Sequence, residues 1–110
     1  MKISLITVTF NSSYTVQDTF RSVLSQSYQD IEYIVVDGFS RDNTVDIIRE
    51  FEPLFTGRLK WISEKDNGIY DAMNKGFHMA TGDIIGIINS DDLLAEPTAI
   101  EKIVDCFKNY

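Results

Sequence analysis

The sequence predicts an α/β fold in which a parallel sheet of about four strands is flanked by helices. Short β-branched runs alternate along the chain with stretches of helical period, which is typical of right-handed crossovers onto a parallel sheet. The predicted strands are almost continuously apolar, as expected where a sheet is covered on both faces. We predict the strand order 3-2-1-4, with the reversal between the first and fourth strands.

The first half of the chain contains two predicted strands and two predicted helices. Residues 3–10 form the first strand, and the next helix has an apolar stripe made of Val16, Phe20, Val23 and Leu24. The second strand covers residues 31–36 and ends at Asp37. The second helix begins near Asp42 or Asn43, both good caps, and directs four apolar residues inward, namely Val45, Ile48, Phe51 and Phe55.

The second half repeats this alternation. Residues 59–63 form a weaker third strand. Asn67 is predicted to cap the third helix and Gly82 to end it, and its inward face holds Ile69, Met73, Phe77 and Ala80. The fourth strand covers residues 83–88, and the last helix starts at Pro97 with an inward stripe of Ile100, Ile103, Val104 and Phe107. Cys106 in this helix is predicted to be a small buried residue.

Length and charge indicate one domain with a substantial core. The 110 residues include 17 acidic and 10 basic side chains, a net charge of −7, which argues against binding to nucleic acid or to an anionic membrane surface. The sequence shows neither a signal peptide nor an apolar run of the roughly 18 to 20 residues that a transmembrane helix needs. With a single cysteine, the chain is expected to be cytoplasmic or peripheral at the inner face of the membrane.

Acidic residues fall where the predicted strands end, at the sheet edge where ligands of such folds bind. Asp37 follows the second strand, Asp66 precedes the third helix, and Asp91 and Asp92 follow the fourth strand, with no dedicated base among them. Taken alone, the last pair is equally typical of a turn. Its place at the end of a buried strand favours a divalent cation, Mg²⁺ or Mn²⁺, whose coordination is completed by water and the phosphates of a diphosphate ligand.

Two other classes of α/β protein are disfavoured. A hydride-transfer dinucleotide domain needs a glycine-rich loop after the first strand, and "TFNSSYT" contains no glycine. A phosphate-receiver domain needs acids at the end of the first strand and an acceptor aspartate at the third, and neither is present.

Three segments, "SLITVTFN", "YIVVDGFSRDNT" and "EKDNGIYDAMNKGFHMATGDIIGIINSDD", strongly resemble in order and spacing the nucleotide-binding half of family 2 glycosyltransferases. This is an inverting group with a Rossmann-like GT-A fold, and the resemblance covers about residues 3–107. It implies that residues 1–110 form a single domain that binds a nucleotide-sugar donor. The chain departs from the commoner pattern at Gly38 and Asn89, where many relatives carry Asp.

The resemblance also implies roles for individual residues. Nine are implied to bind the nucleotide: Thr7, Thr9, Phe10, Asn11, Asp37, Asp66, Gly68, Asn74 and Asp91. Among these, Asp37 stands where the family's uracil-contacting acid stands. Asp92 is implied to be the direct ligand of Mn²⁺ or Mg²⁺, with Asp91 close to the donor ribose or sugar and a second candidate ligand.

The implied reaction is transfer of a sugar from a nucleoside-diphosphate donor, a UDP-sugar, to a hydroxyl of a sugar or lipid-linked acceptor, with inversion. Polysaccharide or cell-surface glycan synthesis is its usual setting. Because family members are longer, we expect the catalytic base and the acceptor region downstream of this chain, which is then an inactive donor-binding portion of a longer enzyme. A metal-dependent nucleotidyltransferase and a non-catalytic nucleotide-binding or interaction module remain the alternatives.

Overall fold

The computed structural model describes residues 1–109, so Tyr110, the last residue of the predicted domain, lies outside the described residues. The strands and helices follow the order β1 (Ile3–Thr9), α1 (Val16–Leu24), β2 (Ile31–Asp37), α2 (Thr44–Phe51), a 3₁₀ helix (Glu52–Phe55), β3 (Leu59–Ser63), α3 (Ile69–Met79), β4 (Ile84–Ile87) and α4 (Ala99–Lys108). Within residues 1–109, every helix is too short or too polar to cross a membrane.

The four strands form one parallel sheet in the order β3-β2-β1-β4, which confirms the predicted architecture and strand order. The register pairs Thr9 with Asp37 and Asp37 with Ser63, so β1, β2 and β3 end at the same level. β4 pairs only as far as Ile87 opposite Ile6, and the segment after it continues along β1. The loops after all four strands therefore open at one edge of the sheet.

Both faces of the central strands are covered. One face packs against α1, α2 and α4 in a cluster that includes the aromatic residues Phe20, Tyr33, Phe51 and Phe55. The other face packs against α3, where Ala72 contacts a smaller cluster of Ile6, Ile34 and Val36. All seven residues of β2 are buried. This accounts for the largely apolar sequence of the second strand, since a strand covered on both faces has no solvent side, and it means that Glu32 and Asp37 in this strand are buried as well.

The predicted inward face of α3 is wrong for Ile69 and Phe77, while Ala80 packs against the smaller cluster. Ala72 and Gly76 face the sheet, whereas Ile69 and Phe77 are exposed and Met73 and Ala80 are only partly buried. A side-chain carbon on Gly76 would lie 2.6 Å from Cγ2 of Ile6. The helix therefore approaches the sheet so closely that only its small residues fit beneath it, and the larger apolar residues lie at its sides.

Both predicted ends of α3 also differ from the structure. Gly68, at φ 112°, occupies the N-cap position, and the Asn67 amide donates instead to Oδ2 of Asp71 at 2.9 Å. The helix ends at Met79, before Gly82. A Cβ on Gly82 would lie 2.5 Å from Oγ of Ser4 and 2.9 Å from the Lys2 carbonyl oxygen, so this glycine serves close packing against β1.

The outer parts of the fold are more exposed than the sequence predicts. Ile85 and Ile87 of β4 are exposed, because α3 lies over β1 and β2 and not over β4. In α4, Ile100 and Val104 are buried as predicted, whereas Ile103 and Phe107 are exposed. The prediction of a buried Cys106 is also wrong, since this residue is exposed. Coverage of both sheet faces holds for β2 and fails for the edge strand β4.

Candidate nucleotide-binding site

A cleft of about 960 Å³ opens at the edge of the sheet where the strands end. The loops after β1, β2 and β3 line it with two phenylalanines, a carboxylate and two cations, namely Phe10, Phe39, Asp66, Arg41 and Lys65. A second cleft of about 500 Å³ shares part of this lining and extends to Asn89 and Asp91. Together the two clefts form a groove from the loop after β2 to the loop after β4.

The floor of the groove is organised by Asp37, which is fully buried. Its Oδ1 accepts hydrogen bonds from the hydroxyls of Thr9 at 2.7 Å and Ser40 at 2.6 Å. Its Oδ2 accepts from the Ser40 amide and the Ser63 hydroxyl, both at 2.8 Å. A buried carboxylate is stable only when its oxygens are satisfied in this way. Asp37 therefore ties together the ends of three strands.

The loops after β1 and β2 are also bonded directly to each other. The Asn11 amide donates to Oγ of Ser40 at 2.8 Å, and the Arg41 amide donates to Oδ1 of Asn11 at 2.9 Å. The Gly38 amide donates to the Thr9 carbonyl oxygen at 2.9 Å. These bonds fix the backbone on two sides of the cleft.

Two residues on these loops have left-handed backbone conformations, Asn11 at φ 47° and Phe39 at φ 65°. Asn is found in this region more often than most residues, and here the Asn11 side chain is held by the Arg41 amide of the neighbouring loop. A bulky residue such as Phe gains no such compensation, and the conformation costs about 1–2 kcal/mol. Local strain of this kind tends to occur at functional sites.

The Asp66 side chain lies close to Gly38 in the cleft. Asp66 is partly buried, and its Oδ1 accepts a hydrogen bond from the Gly68 amide at 3.1 Å. A Cβ on Gly38 would lie 2.8 Å from Oδ2 of Asp66, a distance that real Cβ contacts essentially never reach. The glycine at position 38 therefore makes room for the Asp66 carboxylate at the end of β2.

The loop that carries the acidic pair is held by α1. Oγ1 of the buried Thr19 lies 2.7 Å from the Asp92 carbonyl oxygen and 3.1 Å from that of Ser90. The Leu94 amide donates to Oγ of Ser22 at 3.2 Å. The carboxylates of Asp91 and Asp92 remain exposed. The backbone of the loop is thus anchored while its acidic side chains face solvent.

These two carboxylates suit a hard divalent cation, but they do not form a complete site. Oδ2 of Asp92 accepts a hydrogen bond from Nδ2 of Asn89 at 3.1 Å. No cluster of three His, Cys, Asp or Glu side chains converges anywhere in residues 1–109. The arrangement fits a cation whose remaining ligands come from water and a bound phosphate.

The structure places five of the nine predicted nucleotide-binding residues along the groove: Phe10, Asn11, Asp66, Gly68 and Asp91. Thr9 and Asp37 lie beneath it, bonded to each other. Oγ1 of Thr7 bonds to the Tyr33 hydroxyl at 2.7 Å inside the core, and Asn74 is exposed on α3 outside both clefts. Asp92 lies next to Asp91 at the end of the groove. The nucleotide and metal roles of all these residues remain predictions.

Sequence reasoning missed four residues of the site. Arg41 and Lys65 supply positive charge to a sheet edge where only acids were noted. Arg41 lies in the loop after β2 and Lys65 in the loop after β3, so the topological rule that identified the acids also applies to them. Phe39 and Thr19 had no comparable signal, since backbone strain and a buried hydroxyl depend on the three-dimensional arrangement.

Comparison with known proteins supports the resemblance. The family model "Glycosyl transferase family 2" matches residues 4–110. An uncharacterized glycosyltransferase of Mycobacterium tuberculosis is 39% identical over 104 residues, which are 94% of this chain and 38% of that protein. A PGL/p-HBAD biosynthesis glycosyltransferase of Mycobacterium bovis is 35% identical over 100 residues, covering 91% and 39%. The chain thus spans about two fifths of the length of these relatives.

Solved structures give the same answer for the fold. Staphylococcus aureus TarS in complex with UDP-GlcNAc aligns with a TM-score of 0.91 at 23% identity over 99% of this chain and 32% of that one. The mannosyltransferase PcManGT of Pyrobaculum calidifontis, in complex with GDP-Man and Mn²⁺, aligns with a TM-score of 0.79 at 26% identity, covering 87% and 29%. The sheet matches the GT-A architecture. On its sequence, this chain belongs to glycosyl transferase family 2.

Proposed function

We propose that this chain binds the nucleoside-diphosphate sugar of a glycosyltransferase that acts on an acceptor hydroxyl. The observation that carries the proposal is the groove where the strands end, which combines aromatic walls, the Asp66 carboxylate and two cations in a family 2 chain. Flat aromatic surface suits a nucleobase, and a carboxylate suits its N–H groups. The cations suit phosphate.

The donor is proposed to be a UDP-sugar. This is supported by TarS, which was solved with UDP-GlcNAc and with UDP. The base would lie against Phe10, with Oδ2 of Asp66 as an acceptor near it. Asp37 would act indirectly from beneath the cleft. It bonds to Ser40, and Ser40 in turn accepts a hydrogen bond from the Asn11 amide. A direct contact of Asp37 with the base remains a prediction.

Arg41 and Lys65 provide local positive charge that helps an acidic chain to bind a diphosphate. Both side chains line the first cleft, and the backbone of Arg41 is fixed by its bond to Asn11. Arginine binds phosphate oxygens with a planar pair of N–H donors, whereas lysine provides a compact charge. We propose that they bind phosphate oxygens of the donor from within the first cleft, in addition to the cation at the acidic loop.

The acidic loop would hold Mn²⁺ or Mg²⁺, with Asp92 as direct ligand and Asp91 beside it. The exposed carboxylates fit this role, as does the presence of Mn²⁺ in the PcManGT complex. A bound cation would supply Lewis-acid stabilisation of the charge on the departing diphosphate. Thr19 and Ser22 would keep the loop backbone in place for this ligand.

In the complete reaction, the acceptor oxygen would attack the anomeric carbon while the bond from that carbon to the diphosphate breaks, with inversion. The acceptor proton would pass to a general base. We propose that this base and the site for a sugar or lipid-linked acceptor lie outside residues 1–110, and that this chain alone binds a donor without transferring sugar. The process would be glycan assembly at the cytoplasmic side.

Calorimetric titration of UDP with and without Mn²⁺ tests this proposal. We expect binding in the presence of Mn²⁺ and at least about tenfold weaker binding without it, since the cation neutralises charge between two anionic partners. Asp92→Ala should remove the difference between the two conditions while leaving the melting temperature unchanged, because the side chain is exposed.

Glu50→Ala is a matched control, an exposed acid on α2 away from the groove, and should bind UDP like the wild type. Equal UDP affinity with and without Mn²⁺ would remove the metal from the proposal. No UDP binding in either condition would contradict the donor site itself.

A further inference from the structure

Phe39 has an unusual backbone for its residue type. Within residues 1–109, the non-glycine residues with positive φ are Asn11, Phe39 and Thr56. Asn is well tolerated in this region, and Thr56 follows a 3₁₀ helix, where a left-handed residue commonly ends the element. For a bulky aromatic residue in a loop the conformation is an outlier.

The neighbours of Phe39 hold it in this conformation. On one side the Gly38 amide bonds to the Thr9 carbonyl oxygen, and on the other the Ser40 amide bonds to Oδ2 of the buried Asp37. Phe39 cannot relax without disturbing bonds to a buried carboxylate. Strain maintained by the surrounding structure is a reason to look for a function of the strained residue.

The ring of Phe39 lies open on the cleft. Phe39 is 60% exposed and Phe10, on the facing loop, is 62% exposed, and both line the same cavity. Cδ1 of Phe10 lies 3.5 Å from the position that a Cβ on Gly38 would take. The ring-to-ring contacts found in residues 1–109 lie in the core, among Phe20, Tyr33, Phe51 and Phe55. Two exposed aromatic residues on one concave surface indicate a ligand with flat apolar surface.

We propose that Phe39 is a further nucleotide-binding residue that packs its ring against the planar base of the bound nucleotide and forms, opposite Phe10, the second aromatic wall of the cleft. The inference rests on the proposed donor site. It accounts for an aromatic side chain being kept at a position where the backbone disfavours it. Charge complementarity identifies the occupant, because the same cleft carries Asp66 for N–H donors and the cations Arg41 and Lys65 for phosphate.

Three substitutions separate the ring from the backbone. Phe39→Ala removes the ring and keeps the strain, Phe39→Gly removes both, and Phe39→Tyr keeps both. Calorimetric titration with UDP in the presence of Mn²⁺ should show about a tenfold loss of affinity for the first two, the usual scale of base stacking on an aromatic side chain. Phe39→Tyr should stay within about twofold of the wild type, since its ring stacks equally well.

Two controls assign the loss to the base. Thr56→Gly relieves the same kind of backbone strain far from the cleft and should leave UDP affinity unchanged. Pyrophosphate with Mn²⁺ has no base, so the Phe39 variants and the wild type should bind it equally. The melting temperature of Phe39→Gly should not fall below that of the wild type, which excludes unfolding as the cause of weak binding.

Wild-type affinity for UDP in Phe39→Ala and Phe39→Gly would overturn the inference and leave the proposed donor site intact. An equal loss of UDP and pyrophosphate binding would also overturn it, because the ring would then act on the phosphates or on the loop. If the wild type binds no UDP, the proposed donor site fails and this inference fails with it.

Discussion

Acidic residues lie within the second strand and in the loop after the fourth, and the two sets have opposite environments. In β2, Glu32 and Asp37 are buried and hydrogen-bonded on both carboxylate oxygens. After β4, Asp91 and Asp92 are exposed, and Asp92 accepts one side-chain hydrogen bond, from Asn89. The acidic side chains of β2 thus stabilise the fold, whereas those after β4 remain available for a ligand.

Glu32 is the more extensively paired of the two acids in β2. Its oxygens accept hydrogen bonds from Ser4 at 2.8 Å, the Thr81 amide at 2.9 Å, the Thr81 hydroxyl at 3.0 Å and Nζ of Lys60 at 2.6 Å. Nζ of Lys2 lies 3.4 Å away. Burial alone would raise the pKa of Glu32, but the bonds from Lys60, Thr81 and Ser4 outweigh it and lower the pKa to about 2.

The comparison teaches that an acid at a strand end is not by itself evidence of a ligand. Asp37 is the last residue of β2 and Asp91 lies in the loop after β4, at the same edge of the sheet, but Asp37 is buried and bonded to side chains of β1 and β3 whereas Asp91 is exposed on the groove. We expect the acids of β2 to act on stability and the two acids after β4 to act on binding.

The largest effect on stability is expected for Asp37→Ala. Four donors would lose a buried charged acceptor, which should lower the free energy of unfolding by roughly 4 kcal/mol. Asp91→Ala, at the end of β4, should change it by less than about 0.5 kcal/mol, because the side chain is exposed. Urea denaturation of both variants measures the difference. Equal urea midpoints for Asp37→Ala and the wild type would contradict the stabilising role of the buried acids in β2.

Glu32 is expected to make the free energy of unfolding depend on pH in the acidic range. Its folded pKa of about 2 lies below the ordinary value of 4.5, so its contribution is complete above about pH 4.5 and is lost as the pH falls toward 2. Since each pH unit between the folded and unfolded pKa is worth about 1.4 kcal/mol, the contribution at neutral pH is about 3 kcal/mol.

Urea unfolding of the wild type and Glu32→Gln between pH 7 and pH 2 measures this contribution. We expect the two stabilities to differ by about 3 kcal/mol at pH 7 and to converge as the pH approaches 2. A constant difference across this range would show that packing, and not charge, is what Glu32 contributes.

A smaller loss of stability than for Asp37→Ala or Glu32→Gln is expected for Thr19→Val, which keeps the shape of a buried side chain and removes its hydroxyl. The backbone of the acidic loop would lose its bonds to Thr19 but keep the bond to Ser22, at a cost of about 1 kcal/mol in stability. Mn²⁺-dependent UDP affinity should fall a few-fold, and Mn²⁺-independent affinity should not change. Ser22→Ala, which removes the neighbouring bond to Leu94, is a parallel variant with the same expected direction. A variant with lower stability and unchanged Mn²⁺ dependence would show that Thr19 serves the fold alone.

The sheet and its strand order were predictable because β-branched runs and helical periods alternate cleanly, and parallel crossovers allow few topologies. The orientation of α3 was not, because the choice between Phe77 and Gly76 as the buried residue depends on how closely the helix approaches Ile6. The exposure of Ile85 in β4 was missed for a related reason. The sequence pattern of an apolar edge strand does not differ from that of a central strand.

The site was predictable to the level of its loops. The rule that ligands bind where parallel strands end located Asp66 and Asp91 correctly on the groove. It did not separate them from Asp37, whose burial depends on Thr9, Ser40 and Ser63 coming together from distant parts of the chain. Hydrogen-bond saturation arises from the tertiary structure and leaves no local trace in the sequence.

The close approach of Gly38 to Asp66 has an evolutionary consequence. Any side chain introduced at position 38 would displace the Asp66 carboxylate, so a substitution at either site changes what the other tolerates. Where an aspartate fills the space from the second position, a side chain at the first is accommodated only if that carboxylate rotates out of the position it holds here. Grafting one of these loops from a relative without the other would misplace the carboxylate that faces the groove.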